Sequence, residues 1–160
     1  PASASKCTRA LMSIDKNPLI VKLTPAAGDI VSVAKAVEDA GADAVSLINT
    51  LPAMAVDVRT KRPILGNVTG GLSGPAIMPV ALKMVYDVSN AVGIPVVGMG
   101  GIMTGEDAAA FMLCGAAAVM TGTANLLDPG APLRVIDELK HYAETAKIER
   151  ITALTGALEV

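Results

Sequence analysis

The chain has 160 residues, the size of a single domain, and 52% of them are hydrophobic. Charged residues make up 18% and the net charge is -2; with no basic run, two tyrosines, one phenylalanine and no tryptophan, these numbers exclude an electrostatic nucleic-acid binder. The apolar stretches are strand-sized and broken by Gly or Pro, short of the ~20 residues of a membrane span, while two isolated cysteines and the polar start PASASKCTRA point to a reducing cytoplasm.

In chain order, Ala4–Ser13 has helical composition and stops before the turn residues Asp15-Lys16-Asn17-Pro18. Leu19–Leu23 is a short β-branched run between Pro18 and Pro25, which predicts a strand. Asp29 is placed to cap a helix whose apolar face is Ile30, Val33, Ala34 and Val37, and Gly41 ends it. Ala44–Ile48 is the next strand. Residues 51–69 do not fit a simple crossover, because MAVDVRTKRPIL alternates around a polar Arg59-Thr60-Lys61 tip; an inserted hairpin or a long lid-like loop is expected.

Pro75 opens a helix running to about Val92, with Ser73 or Gly74 as its cap. Ile94–Met99 is a strand, Thr104-x-x-Asp107 has the spacing of a capping box, and the helix it starts ends at Cys114-Gly115. Ala117–Thr121 is the last strand and Leu133–Ala146 the last long helix, followed by a short helical turn in the tail. Four βα units in order predict a parallel sheet, either doubly wound or a barrel. A complete barrel takes ~250 residues, so this chain supplies about half of one, as a single partial domain over residues 1–160. The chain opens on Pro1 rather than Met, from which a segment ahead of it is expected.

The residues that invite chemistry sit at the ends of these strands. Gly98-Met99-Gly100-Gly101 lacks the third glycine of a dinucleotide fingerprint and follows a late strand, so the Rossmann reading fails. A second glycine turn, Thr121-Gly122-Thr123, follows the next strand. Paired glycine turns after two late strands match the phosphate cup of many barrels, in which backbone N–H groups of Gly100, Gly101, Gly122 and Thr123 would converge on one phosphate. Glycines that merely allow tight turns are the plainer reading.

Lys22 shares a strand face with Ile20 and Thr24 and is costly inside a buried parallel strand unless it meets an anion or solvent. It could form a Schiff base or offset negative charge on a cofactor ring. Ile48-Asn49-Thr50 brings an amide and a hydroxyl to the same rim, suited to a polar planar substrate, and the GGLSG stretch that ends at Gly74 offers a flat ligand an approach. Cys7 and Cys114 have no nearby base, His141 is expected to face solvent, and Asp57, Arg59, Lys61 and Arg62 are expected to solvate the insertion. The scattered methionines read as core filler.

Taken together, VKLTP, INT, GNVTGGLSGPAI, GMGGI and TGTA resemble the C-terminal half of class 1 dihydroorotate dehydrogenases over nearly the whole chain, and GNVTGGLSGPAI resembles subclass B in particular. The resemblance implies a (β/α)8 TIM barrel of which about four C-terminal βα units are present. It implies FMN held by Lys22, Ile48, Gly74, Gly100, Gly101, Gly122 and Thr123, with Lys22 beside the flavin ring. Asn49 and Thr50 would hydrogen-bond dihydroorotate or orotate. It also implies a homodimer and a partner subunit with FAD and an iron–sulfur cluster, through which electrons reach NAD.

One part of the family pattern is missing. The proton-accepting cysteine of an Asn-x-Ser-Cys-Pro-Asn motif has no counterpart here, and the role is not transferred to Cys7 in SKCTRAL. The resemblance implies that this motif and the first four strands lie ahead of Pro1, so the chain alone is expected to be inactive and to contain no catalytic residue. Three other readings stay open: the flavin barrel of a dihydropyrimidine dehydrogenase-like enzyme, a Schiff-base aldolase-type barrel using Lys22, and a half-barrel with no catalytic role.

Overall fold

The computed structural model describes all residues from Pro1 to Val160. The chain opens with α1 (Ala2–Ile14) and enters β1 (Ile20–Lys22) through the Asn17-Pro18 turn. Helix α2 (Ile30–Glu38) begins where the Asp29 carboxylate accepts the Ser32 backbone N–H at 3.0 Å, and all four residues of its expected apolar face are buried. Hydrogen bonds from the Ser32 hydroxyl and backbone N–H hold the Asp29 carboxyl below its ordinary range. Strand β2 (Ala44–Leu47) follows, buried along its whole length.

Residues 51–72 are a two-stage hairpin. Strands β3 (Leu51–Met54), β4 (Val56–Asp57), β5 (Arg62–Pro63) and β6 (Thr69–Leu72) pair antiparallel, β3 with β6 at the base and β4 with β5 at the tip. The alternation around Arg59-Thr60-Lys61 thus makes a hairpin, and Gly70, Gly71 and Leu72 lie in a strand of it rather than in a loop. At the tip the Asp57 carboxylate accepts from the Arg59 N–H at 2.8 Å and the Thr60 hydroxyl at 2.9 Å, and these bonds lower its pKa.

A single turn of 3-10 helix, Pro75–Ile77, leads into α3 (Met78–Ser89), and β7 (Val96–Met99) returns to the sheet. Helix α4 (Gly105–Leu113) has the complete capping box: Asp107 N–H donates to the Thr104 hydroxyl at 3.1 Å and Thr104 N–H to the Asp107 carboxylate at 2.9 Å. After β8 (Ala118–Met120) comes α5 (Thr123–Leu127), a five-residue helix that the sequence reading treated only as a glycine turn. The chain closes with α6 (Ala131–Thr145) and a 3-10 turn at Ile151–Leu154. No helix is long and apolar enough to cross a membrane.

The sheet has four parallel strands in the order β1-β2-β7-β8, so strands adjacent in the βα sequence are adjacent in space. The register pairs Lys22 with Ser46, Ser46 with Val97, and Met99 with Met120. Because side chains alternate across a strand, Val21, Val45, Leu47, Val96 and Val119 share one face. That face packs into the core with Val37, Ala81, Val85, Val88 and Phe111 of the helices. Helices α1, α2, α3, α4 and α6 pack each on the next in one layer. A doubly wound sheet would have helices on both faces; here the face bearing Ile20, Lys22, Ala118 and Met120 is exposed along both edge strands, while Ala44 and Ser46 of the central β2 on the same face are buried.

Two expectations are corrected by this arrangement. Lys22 is exposed rather than buried, because β1 is an edge strand and its open face has no covering layer. The methionines are not uniformly core filler: Met112 is buried, but Met54 and Met120 are 53% and 52% exposed, on the hairpin and on the edge strand β8.

Candidate functional site

All four parallel strands end at the same rim, so residues distant in sequence meet there. Lys22 closes β1, Ile48-Asn49-Thr50 follows β2, Met99-Gly100-Gly101 closes β7 and Met120–Thr123 closes β8. The hairpin starts at this rim after Thr50 and returns to it at Ser73-Gly74. One open pocket of about 260 Å³ joins them, lined by Lys22, Ile48, Asn49, Thr50, Gly74, Gly100, Gly101, Gly122 and Thr123. Every site residue read from the sequence is brought together there.

Five lining residues were missed as site residues: Ser73, Ile77, Met99, Met120 and Thr121. Two could have been found by parity. Met99 and Met120 are register partners on the Lys22 face of the sheet, one residue before each glycine turn. The sequence offers Ser73 as a helix cap and as part of the GGLSG approach to a flat ligand, without singling out its side chain. In the fold its hydroxyl oxygen accepts the Thr123 hydroxyl at 2.8 Å, tying the end of the hairpin to the start of α5. No local pattern predicts that contact, which spans 50 residues.

The pocket is rich in donors and has no negative charge. Lys22 enters none of the chain's four ion pairs. The backbone N–H groups of Gly100, Gly101 and Gly122 have no acceptor in the chain. No Asp, Glu, His or Cys lines the pocket. Such a site suits an anion or an electron-rich ring.

The glycines differ in what they do. Gly101 has φ +87, and a Cβ there would lie 2.8 Å from the Gly74 carbonyl oxygen, so the fold itself requires glycine. Gly122 has an ordinary negative φ, and a Cβ there would meet no atom within 4 Å. Nothing inside the chain demands glycine at 122. A Cβ would instead occupy open space beside the pocket.

The other candidates stay outside this site. Cys7 is exposed on α1, and Cys114 is half-buried at the end of α4, where burial pushes its thiol pKa up and disfavours the reactive thiolate. His141 is exposed on α6, as expected. No group of three or more His, Cys, Asp or Glu side chains is arranged to hold a metal ion.

Fold and rim define an α/β protein that gathers its candidate ligand groups at the C-terminal ends of parallel strands, the place where barrel enzymes carry theirs. The chain belongs to the dihydroorotate dehydrogenase family, whose model matches residues 1–142. It is 54% identical over 158 residues to the dihydroorotate dehydrogenase B (NAD(+)) catalytic subunit of Alkaliphilus oremlandii, covering 99% of this chain and 52% of that protein. The subunit of the same name from Citrifermentans bemidjiense is 54% identical over 160 residues, covering 100% of this chain and 52% of that protein. The one from Bacteroides thetaiotaomicron is 50% identical over 157 residues, 98% of this chain and 52% of that protein. The chain thus spans about half the length of these relatives. None of the three is an aldolase or a dihydropyrimidine dehydrogenase, so they lend those readings no support.

Proposed function

We propose that this chain forms the cofactor-holding half of an FMN-dependent dihydroorotate dehydrogenase, which oxidises dihydroorotate to orotate in pyrimidine biosynthesis. In this reading it supplies four of the eight βα units of a barrel, as one continuous half-barrel over residues 1–160. The single layer of helices, the exposed edge strands and the span of about half the relatives' length support that reading. The observation that carries it is the pocket: nine residues singled out for FMN and substrate line one cavity with a free cation and unpaired N–H donors.

The residues fit the group. Bound FMN supplies the two-electron redox chemistry that no side chain of this chain can supply. Gly100, Gly101, Gly122 and Thr123 hold its phosphate through backbone N–H groups, because unpaired amides at the start of a helix-forming turn favour an anion. Lys22 stands across the pocket and offsets negative charge on the ring, while Ile48 and Gly74 line it. Asn49 and Thr50, exposed at the rim, orient the substrate through an amide and a hydroxyl. In this reading the proton acceptor comes from outside this chain. A second copy and a subunit carrying FAD and an iron–sulfur cluster, which passes electrons to NAD, complete the proposed assembly.

The test is flavin titration of the chain alone and co-expressed with the first half of the Alkaliphilus oremlandii relative. Binding of FMN is expected when the complementing half is present. Lys22→Ala should weaken it at least about ten-fold, the scale of one lost charge-assisted contact, and Gly122→Ala should weaken it by setting a methyl group in the ligand's space, neither lowering the melting temperature. Unchanged affinity in Gly122→Ala, or a complex that never takes up flavin, rules the assignment out.

A further inference from the structure

The two glycine turns of the pocket start side by side, because Met99 of β7 and Met120 of β8 are register partners. Beyond the strands they separate. Gly100-Gly101 leads through Ile102 and Met103 into α4, while Gly122-Thr123 opens α5, which ends at Asp128. No hydrogen bond runs directly from residues 100–104 to residues 121–128.

A side chain of α6 reaches both. Arg134 Nη1 donates to the Met103 carbonyl oxygen at 3.0 Å, and its Nε lies 3.6 Å from the Asp128 carboxylate at the end of α5. One turn further along the same helix face, Glu138 accepts the Gly105 N–H at 2.7 Å with one carboxylate oxygen. Its other oxygen pairs with Arg134 Nη1 at 3.3 Å. The helices lie close enough to keep this geometry: a Cβ on Gly105 would stand 2.4 Å from the Leu139 backbone nitrogen, so α4 starts against the backbone of α6. Neither Arg134 nor Glu138 lines the pocket.

We propose that Arg134 and Glu138 are positioning residues of the phosphate cup. Through the Met103 carbonyl, the Gly105 N–H and Asp128 they hold the two turns at the spacing at which their N–H groups converge on one phosphate. This deepens the FMN reading above and rests on it. A planar guanidinium suits the task, because its donors leave in fixed directions and serve oxygens on three segments at once. The Arg134 side chain is 42% exposed, and ion pairs this open add little to stability. Their effect is therefore on the shape of the cup rather than on the melting temperature. Charge acting through space would behave differently. A cation and an anion act on a phosphate with opposite sign, whereas as positioning residues the two act in the same direction.

Flavin titration of the chain complexed with the first half of the Alkaliphilus oremlandii relative tests this, using FMN and riboflavin, which has the same ring and no phosphate. The wild type is expected to prefer FMN. Arg134→Ala and Glu138→Ala should each lower that preference about ten-fold, the scale of one weakened charge-assisted hydrogen bond, with riboflavin affinity and melting temperature unchanged. A wild type without the preference, a preference that survives in both variants, equal losses for FMN and riboflavin, or tighter FMN binding by Glu138→Ala overturns the proposal. A wild-type complex that takes up neither flavin ends the FMN reading by itself. The comparison then uses inorganic phosphate and the amide NMR signals of Gly100, Gly101 and Gly122 in the chain alone. Phosphate-induced shifts that weaken in both variants support the positioning role; shifts equal to wild type, or absent from wild type, overturn it too.

Discussion

The middle of the sheet and its two edges are built from similar residues and have opposite fates. In β2, Ala44, Val45, Ser46 and Leu47 are all buried, and β7 beside it alternates between buried and half-buried. In β1 and β8 the end residues are exposed and only the central one is half-buried. Val21 is half-buried while Val45, its register partner one strand in and equally β-branched, is fully buried. Burial in a parallel sheet is a property of the neighbours a strand has on both sides, and composition alone does not supply them.

The sharpest way to break this contrast is to cut into its buried side. Phe111→Ala removes the largest fully buried side chain, which packs over the centre of β7 at Gly98. It should cost about 3–5 kcal/mol in urea unfolding. Next comes Gly101→Ala at the rim. The positive φ and the approach to the Gly74 carbonyl should together cost about 2 kcal/mol, where Gly122→Ala, with open space around it, should leave stability unchanged. If both glycine variants melt alike, the distinction between a glycine the fold needs and one it does not is lost.

Thr104→Ala, which deletes the capping box of α4, should lower stability by about 1 kcal/mol in the same assay. The smallest effect belongs to the edge. Ile20→Ala in the chain alone should stay within about 0.5 kcal/mol, because an exposed side chain has little burial to lose. Bound to the complementing half, the same substitution should cost more than about 1 kcal/mol. An equal cost in both states would mean that β1 is a true edge and that nothing packs against it.

The parts legible in the sequence were those governed by local rules. The Asp29 cap, the apolar face of α2 and the Thr104-x-x-Asp107 box each depend on residues within a turn or two, and each formed as read. The rim residues drew attention because a lysine, an amide and glycines stand together at strand ends, and the fold brings them to one pocket. The exposure of Lys22 was not legible, since it depends on which side of β1 lacks a neighbour. Helix α5 escaped because its five residues, TANLL, carry no cap or stop signal of their own. The Ser73–Thr123 bond joins two hydroxyls that only the return of the hairpin to the rim brings together.

By itself, then, the sequence determined the alternation of strands and helices, the caps that start the helices and the identity of the polar and glycine residues at the strand ends. Periodicity and turn chemistry act over a few residues, and that is why they can be read directly. Tertiary structure alone decided that these strand ends form one pocket, that the helices lie in a single layer, and that residues 51–72 make a hairpin. Those outcomes depend on packing between segments tens of residues apart, where burial and register are settled by the whole fold.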